Sequence, residues 1–167
     1  MRKRLAVAVL MLGLAPAYAA EPVGCEHFKW PVTRERALLT TPDLPNLKSG
    51  VDVSTLPPFA ATLSLHPPTE AGLPKPSERT QKPGTFAGYL RLGQIPGGFY
   101  AVSVSDGAWI DLIQDGNYLK PTEFSGATGC SGIRKTMRFN IAGGPVTMQI
   151  SSVATKTIRV AVTPSSN

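Results

Sequence analysis

The chain is poor in the residues that carry chemistry. It holds two histidines and two cysteines in 167 residues. His27 and His66 have no further ligand at motif spacing, so neither a zinc centre nor a mononuclear iron centre can be read from the sequence. No metal and no cofactor are expected. There is no C-x-x-C pair, which removes the usual dithiol redox motif. No basic run with interleaved aromatics occurs, so no nucleic-acid partner is expected. After the first twenty residues nothing is apolar for long enough to cross a bilayer as a helix, and no transmembrane segment is expected.

What is present begins with a leader. Arg2, Lys3 and Arg4 precede an apolar run from Leu5 to Leu14, followed by Pro16 and the small-residue stretch Ala17-Tyr18-Ala19. That order is a secretory signal peptide, residues 1–19, cleaved after Ala19. Three of the 17 basic residues lie in it, so half of the formal charge of +6 leaves with it. The remainder is an ordinary solubility charge. The expected location is the periplasm or the exterior. There Cys25 and Cys130 are expected to form one structural disulfide. Cys25 does not fit a lipid-attachment site, since Glu21-Pro22-Val23-Gly24 separates it from the apolar run.

Beyond the leader the texture changes once. Residues 20–83 are broken by Pro42, Pro45, Pro57-Pro58, Pro67-Pro68, Pro74, Pro76 and Pro83. Proline removes a backbone donor and fixes φ, so long helices and central strands are excluded there. One short helix is predicted over Arg34–Leu39 with Thr33 as N-cap. One strand is predicted over Ala60–Leu65. Leu73–Pro83 reads as an extended surface linker.

Residues 84–167 read as strands punctuated by glycine. The predicted strands are Thr85–Leu92, Gly98–Ser105, Ala108–Gln114, Tyr118–Phe124, Ile133–Ile141, Val146–Ser152 and Thr157–Thr163. Asp106-Gly107 and Asp115-Gly116 are hairpin signals, because glycine supplies a positive φ cheaply. Alternation sets the faces. Tyr100, Val102 and Val104 share one side, as do Met137, Phe139 and Ile141; Ser103, Thr136, Arg138 and Gln149 fall on the other. This predicts an all-β, antiparallel sandwich of about eight strands, jelly-roll or Ig-like, with the proline-rich segment packed on it.

Few side chains are candidates for function. Asp111 interrupts the apolar run Trp109-Ile110-Asp111-Leu112-Ile113. If Ile110 and Leu112 are core, Trp109 and Asp111 face outward together, as an aromatic platform and a carboxylate for a sugar. If Trp109 and Ile113 are core, Asp111 is a buried carboxylate needing a partner, which Arg134 or Arg138 would supply. A hydrolase would pair Asp111 with Glu123 or Asp115. Arg134, Arg138 and Arg159 lie on polar strand faces and would form a basic patch for an acidic glycan, a phosphate or a partner's carboxylates. Gly129-Cys130-Ser131-Gly132 has only a faint likeness to a serine-protease nucleophile loop.

Residues 84–164 resemble the bacterial pre-peptidase C-terminal type of β-sandwich. The likeness runs through Phe86-Ala87-Gly88, Pro96-Gly97-Gly98-Phe99-Tyr100, Trp109-Ile110-Asp111-Leu112, Asp115-Gly116 and Arg138-Phe139. It implies a jelly-roll-like module of the kind that accompanies secreted enzymes. Such modules carry more acidic residues around the aspartate strand than the lone Asp111. The whole chain also resembles small uncharacterised exported proteins of Gram-negative bacteria, through Trp30-Pro31-x-x-Arg34-Glu35-Arg36-Ala37. Together these readings lead to an exported binding or accessory module without catalysis, whose partner is a glycan or an envelope protein. The alternative is a small secreted hydrolase using Asp111.

Overall fold

The computed structural model describes residues 21–166. The leader and its cleavage point lie outside the described residues. The described chain contains a 3-10 turn (Cys25–His27), one helix α1 (Thr33–Leu39) and eleven strands. The strands are β1 (Asn46–Leu47), β2 (Asp52–Val53), β3 (Phe59–Ser64), β4 (Phe86–Ile95), β5 (Gly98–Val104) and β6 (Trp109–Gln114), then β7 (Asn117–Leu119), β8 (Glu123–Gly126), β9 (Lys135–Ile141), β10 (Gly144–Val153) and β11 (Thr157–Pro164).

They form two sheets. One has six strands in the order β1-β3-β11-β5-β9-β8, the other five in the order β2-β4-β10-β6-β7. Both are mixed, not purely antiparallel. The two-residue edge strands β1 and β2 run parallel to β3 and β4, and every other pairing is antiparallel. These short edges leave little open ladder for another chain to join.

The period-two alternation puts one core between the sheets. Leu63, Val102, Phe139 and Ile158 enter it from one side, and Leu90, Leu112, Met148 and Ile150 from the other. All eight are buried. Ile110 and Leu112 are core, so Trp109, Asp111 and Ile113 belong to the outer face of β6. In β10 a register shift between Ile150 and Val153 lets both reach the core, and Ser152 takes a φ of 58°.

Several sequence expectations are corrected. The stretch Tyr118–Phe124 is two strands, because the chain leaves the five-stranded sheet after Leu119 and joins the other at Glu123. Pro121, without an N–H, sits in that crossing. Asp115-Gly116 closes a two-residue hairpin between β6 and β7, with φ of 50° and 74°. Asp106-Gly107 does not, since β5 and β6 pair in different sheets. Helix α1 starts at Thr33 with Val32 at the N-cap and no side-chain cap bond. Val32 is buried there, so packing rather than capping sets that end.

The outer faces are not solvated as the alternation predicted. On the six-stranded sheet, Phe28, Val32 and Leu39 pack with Ile133, Ala127, Cys130 and Ala161 into a second core. Cys25 and Cys130 are joined, with Cα atoms 4.7 Å apart and a sequence separation of 105. Beneath this cover Ser103 Oγ donates to Thr136 Oγ1 at 2.8 Å, and Thr163 Oγ1 donates to the buried Glu35 carboxylate at 2.8 Å. On the five-stranded sheet the cover is the stretch 73–83, a strap without regular structure that bends at Pro74-Lys75 and at Glu78-Arg79.

Candidate functional site

The strap lies over the most unusual surface of the molecule. Strand pairing aligns Tyr89, Gln149 and Asp111 across β4, β10 and β6, with Ser151 beside Trp109 in the next row and Ile113 beside Tyr118 in another. Three aromatic side chains, an amide, a hydroxyl and a carboxylate thus share one sheet face. Asp111, Gln149 and Ser151 are buried. A buried polar group without a partner costs several kcal/mol, about 2–7 depending on the reference, so each must be engaged.

The strap engages them. Gln149 Oε1 accepts from Lys75 N at 2.9 Å, and Gln149 Nε2 donates to Lys75 O at 3.0 Å. Ser77 Oγ and Ser151 Oγ are 3.0 Å apart. Asp111 Oδ2 accepts from Glu78 N at 3.3 Å, while Asp111 Oδ1 accepts from Trp109 Nε1 at 2.7 Å. Tyr118 donates its hydroxyl to Pro76 O. Lys75 Nζ sits 4.2 Å from the Tyr118 ring centre, and the Arg79 guanidinium 5.6 Å from that of Trp109. Lys120 pairs with Glu78 at 2.5 Å.

The electrostatics follow from burial. Asp111 is pushed above the usual carboxylate range mainly by burial. Hydrogen bonds from Trp109, the Glu78 backbone and Ser77 oppose the rise, and the Glu78 charge adds to it. Lys135 is pushed below the usual lysine range, first by burial and then by Arg79 and Arg134. Its Nζ donates to Ala108 O at 3.2 Å and lies 5.3 Å from the Trp109 ring centre.

Trp109 and Asp111 are therefore brought together, but under a cover. The carboxylate is partnered by an indole and a backbone N–H rather than by Arg134 or Arg138. Arg138 and Arg159 belong to the other sheet, Arg134 to the bend that leads into β9 rather than to a strand, and all three bind the chain's own N-terminal part. Arg134 pairs with Glu21. Arg138 pairs with Glu123 at 2.9 Å and stacks 4.2 Å from the Trp30 ring centre. Arg159 donates to Leu39 O at 2.8 Å. Glu123 is thus in the opposite sheet from Asp111, and Asp115 is in a turn.

Sequence reasoning missed Gln149, Ser151, Tyr118 and the strap residues Lys75, Ser77, Glu78 and Arg79. The available signal was the alternation Pro74-Lys75-Pro76-Ser77, in which the non-proline residues face the sheet. Two other concavities exist. A cleft of about 340 Å³ includes the Glu123–Arg138 pair. A groove of about 510 Å³ between α1 and the β1 and β2 edges is lined by Leu38, Leu44, Leu47, Val53 and Phe59, and its one carboxylate, Asp52, is held by Arg91 at 2.8 Å.

Among the described residues no three His, Cys, Asp or Glu side chains converge as a metal set, and no helix is long and apolar enough to cross a membrane. No protein-family model matches this chain, and no curated protein matches it.

Proposed function

We propose that this protein is an exported binding or accessory module with a jelly-roll architecture and no chemistry of its own. It works in the periplasm or outside the cell, on an envelope glycan or an envelope protein. The jelly-roll reading is supported by strand order. In the sequence β3, β4, β5, β6, each strand lies in the opposite sheet from the one before, and the same holds for β9, β10 and β11. Export is supported by the leader sequence and by a disulfide, the bond of an oxidising compartment.

One observation carries the choice of binding over hydrolysis. Both oxygens of Asp111 are already held by Trp109 and the strap, neither Glu123 nor Asp115 stands beside it, and the carboxylate that does lie near it, Glu78, is paired with Lys120. A glycosidase needs two carboxylates flanking a cleft open to water. The test uses the chain from Ala20, purified with its disulfide, on a panel of glycans, esters and peptides. No turnover is expected, alongside capture of an envelope component from a periplasmic extract or from envelope glycans. Turnover that Asp111→Asn abolishes while the fold persists would establish the hydrolase instead.

A further inference from the structure

The outer face of the five-stranded sheet handles the strap as a receptor handles a peptide. Gln149 uses both ends of its amide on one residue, accepting from Lys75 N at 2.9 Å and donating to Lys75 O at 3.0 Å. A strand makes the same two bonds with its neighbour; here a side chain makes them. Tyr118 then reads the carbonyl of Pro76, and Asp111 the N–H of Glu78. All four bonds go to main chain, so they fix the path of a peptide without dictating most of its residues. Selectivity comes from two aromatic seats for cations, Tyr118 under Lys75 and Trp109 under Arg79. Pro74 and Pro76 fix φ at two positions of the ligand, which lowers the entropy lost on docking.

The same contacts make the strap detachable. Pro74, Pro76, Glu78 and Arg79 are exposed, and nothing between Leu73 and Arg79 enters either hydrophobic core. Trp109, Ile113 and Tyr118 lie on the covered face, so lifting the strap uncovers apolar surface there, but it opens neither core and the broken bonds can be remade with water.

We propose that this face is a binding site for proline-containing segments of a partner protein that carry both basic and acidic side chains, as residues 75–79 do, and that residues 73–79 occupy it in cis as a displaceable pseudo-ligand. The inference deepens the binding-module reading by assigning the partner's chemistry. A tethered strap holds the face at a high effective concentration, so a partner must share its features and add contacts at the flanks. Binding in trans is therefore masked in the closed chain and revealed once the strap is removed.

The experiment excises residues 73–79 by cutting at protease sites placed at Gly72 and Thr80 and removing the released peptide, the two halves staying joined through Cys25–Cys130. The probe is a fluorescein-labelled synthetic peptide of the sequence of residues 73–80, followed by anisotropy. The opened chain should bind it at least about tenfold more tightly than the intact chain, the difference being the strap's competition. In the opened chain Tyr118→Phe keeps the aromatic seat and loses one bond to a carbonyl, and should weaken binding about fivefold. Gln149→Ala should abolish it. A probe with both prolines replaced by alanine should bind more weakly than the original. An opened chain that folds with its disulfide yet binds no better than the intact one overturns the inference. So does an opened chain that cannot fold, since the strap would then be structural. Either result leaves the module reading standing, which only turnover abolished by Asp111→Asn removes.

Discussion

The two outer faces of this molecule are covered in opposite ways. The six-stranded sheet is capped by residues 21–45, which bring Phe28, Val32 and Leu39 into a second hydrophobic core and are tied down by Cys25–Cys130. The five-stranded sheet is capped by residues 73–83, which bring hydrogen bonds and two stacked cations. Apolar burial contributes about 25 cal/mol per Å² and is lost when the cover leaves. A hydrogen bond contributes only about 1 kcal/mol net, because water replaces it. The first cover is thus a permanent part of the fold, and the second is a removable one. Proline appears in both segments; what differs is whether the residues between the prolines are apolar or polar.

The comparison can be broken at its strongest point first. Cys25→Ser with Cys130→Ser should cost up to about 5 kcal/mol, the chain-entropy limit for a loop of this length. Hydrogen exchange should show residues 25–39 opening before the strands do. Simultaneous loss of β5 and β9 protection would mean that the cover is no separate layer. Leu39→Ala comes next, at about 3 kcal/mol in a urea titration, because Leu39 is fully buried in the second core. A cost under about 1 kcal/mol would place the helix with the removable cover.

Replacing residues 74–79 by glycine and serine should cost about 2 kcal/mol or less, from lost polar contacts and lost proline stiffening. Its melting transition should stay single and cooperative. The smallest effect is pH-linked. Burial raises the Asp111 pKa in the folded chain above its unfolded value. Its contribution to stability is therefore largest below the ordinary carboxylate pKa of about 3.9, and is lost as pH rises through the folded value. Asp111→Asn removes that dependence. The stability difference between native chain and variant should fall in the variant's favour as pH climbs from about 4. A difference flat with pH would mean that the strap's hydrogen bonds cancel the burial.

Much of the fold was legible because its signals are local. Tyr100, Val102 and Val104 alternate with Ala101 and Ser103, and that period cannot be satisfied by a helix. Asp115-Gly116 was legible because both residues must take positive φ. Asp106-Gly107 carries the same letters and misled, since whether a turn joins partners or crosses between sheets depends on distant strands. The candidate site was half legible. Trp109 and Asp111 sit on one face by period alone, whereas Gln149 and Ser151 look like ordinary solvated strand residues until something is seen to lie on them. Arg134, Arg138 and Arg159 read as a free patch for the same reason.

By itself the sequence determined the period-two alternation of the long strands, which of their side chains turn inward, and that two lone cysteines would find each other. Each of these follows from sterics over a few residues or from having no alternative partner. Only the tertiary structure decided that β3 lies between β1 and β11, that residues 21–45 cover one sheet, and that the strap covers Asp111. Those choices are sums over many weak contacts between residues far apart in the chain, such as Lys75 with Gln149 or Arg159 with Leu39, and no short stretch of sequence contains them.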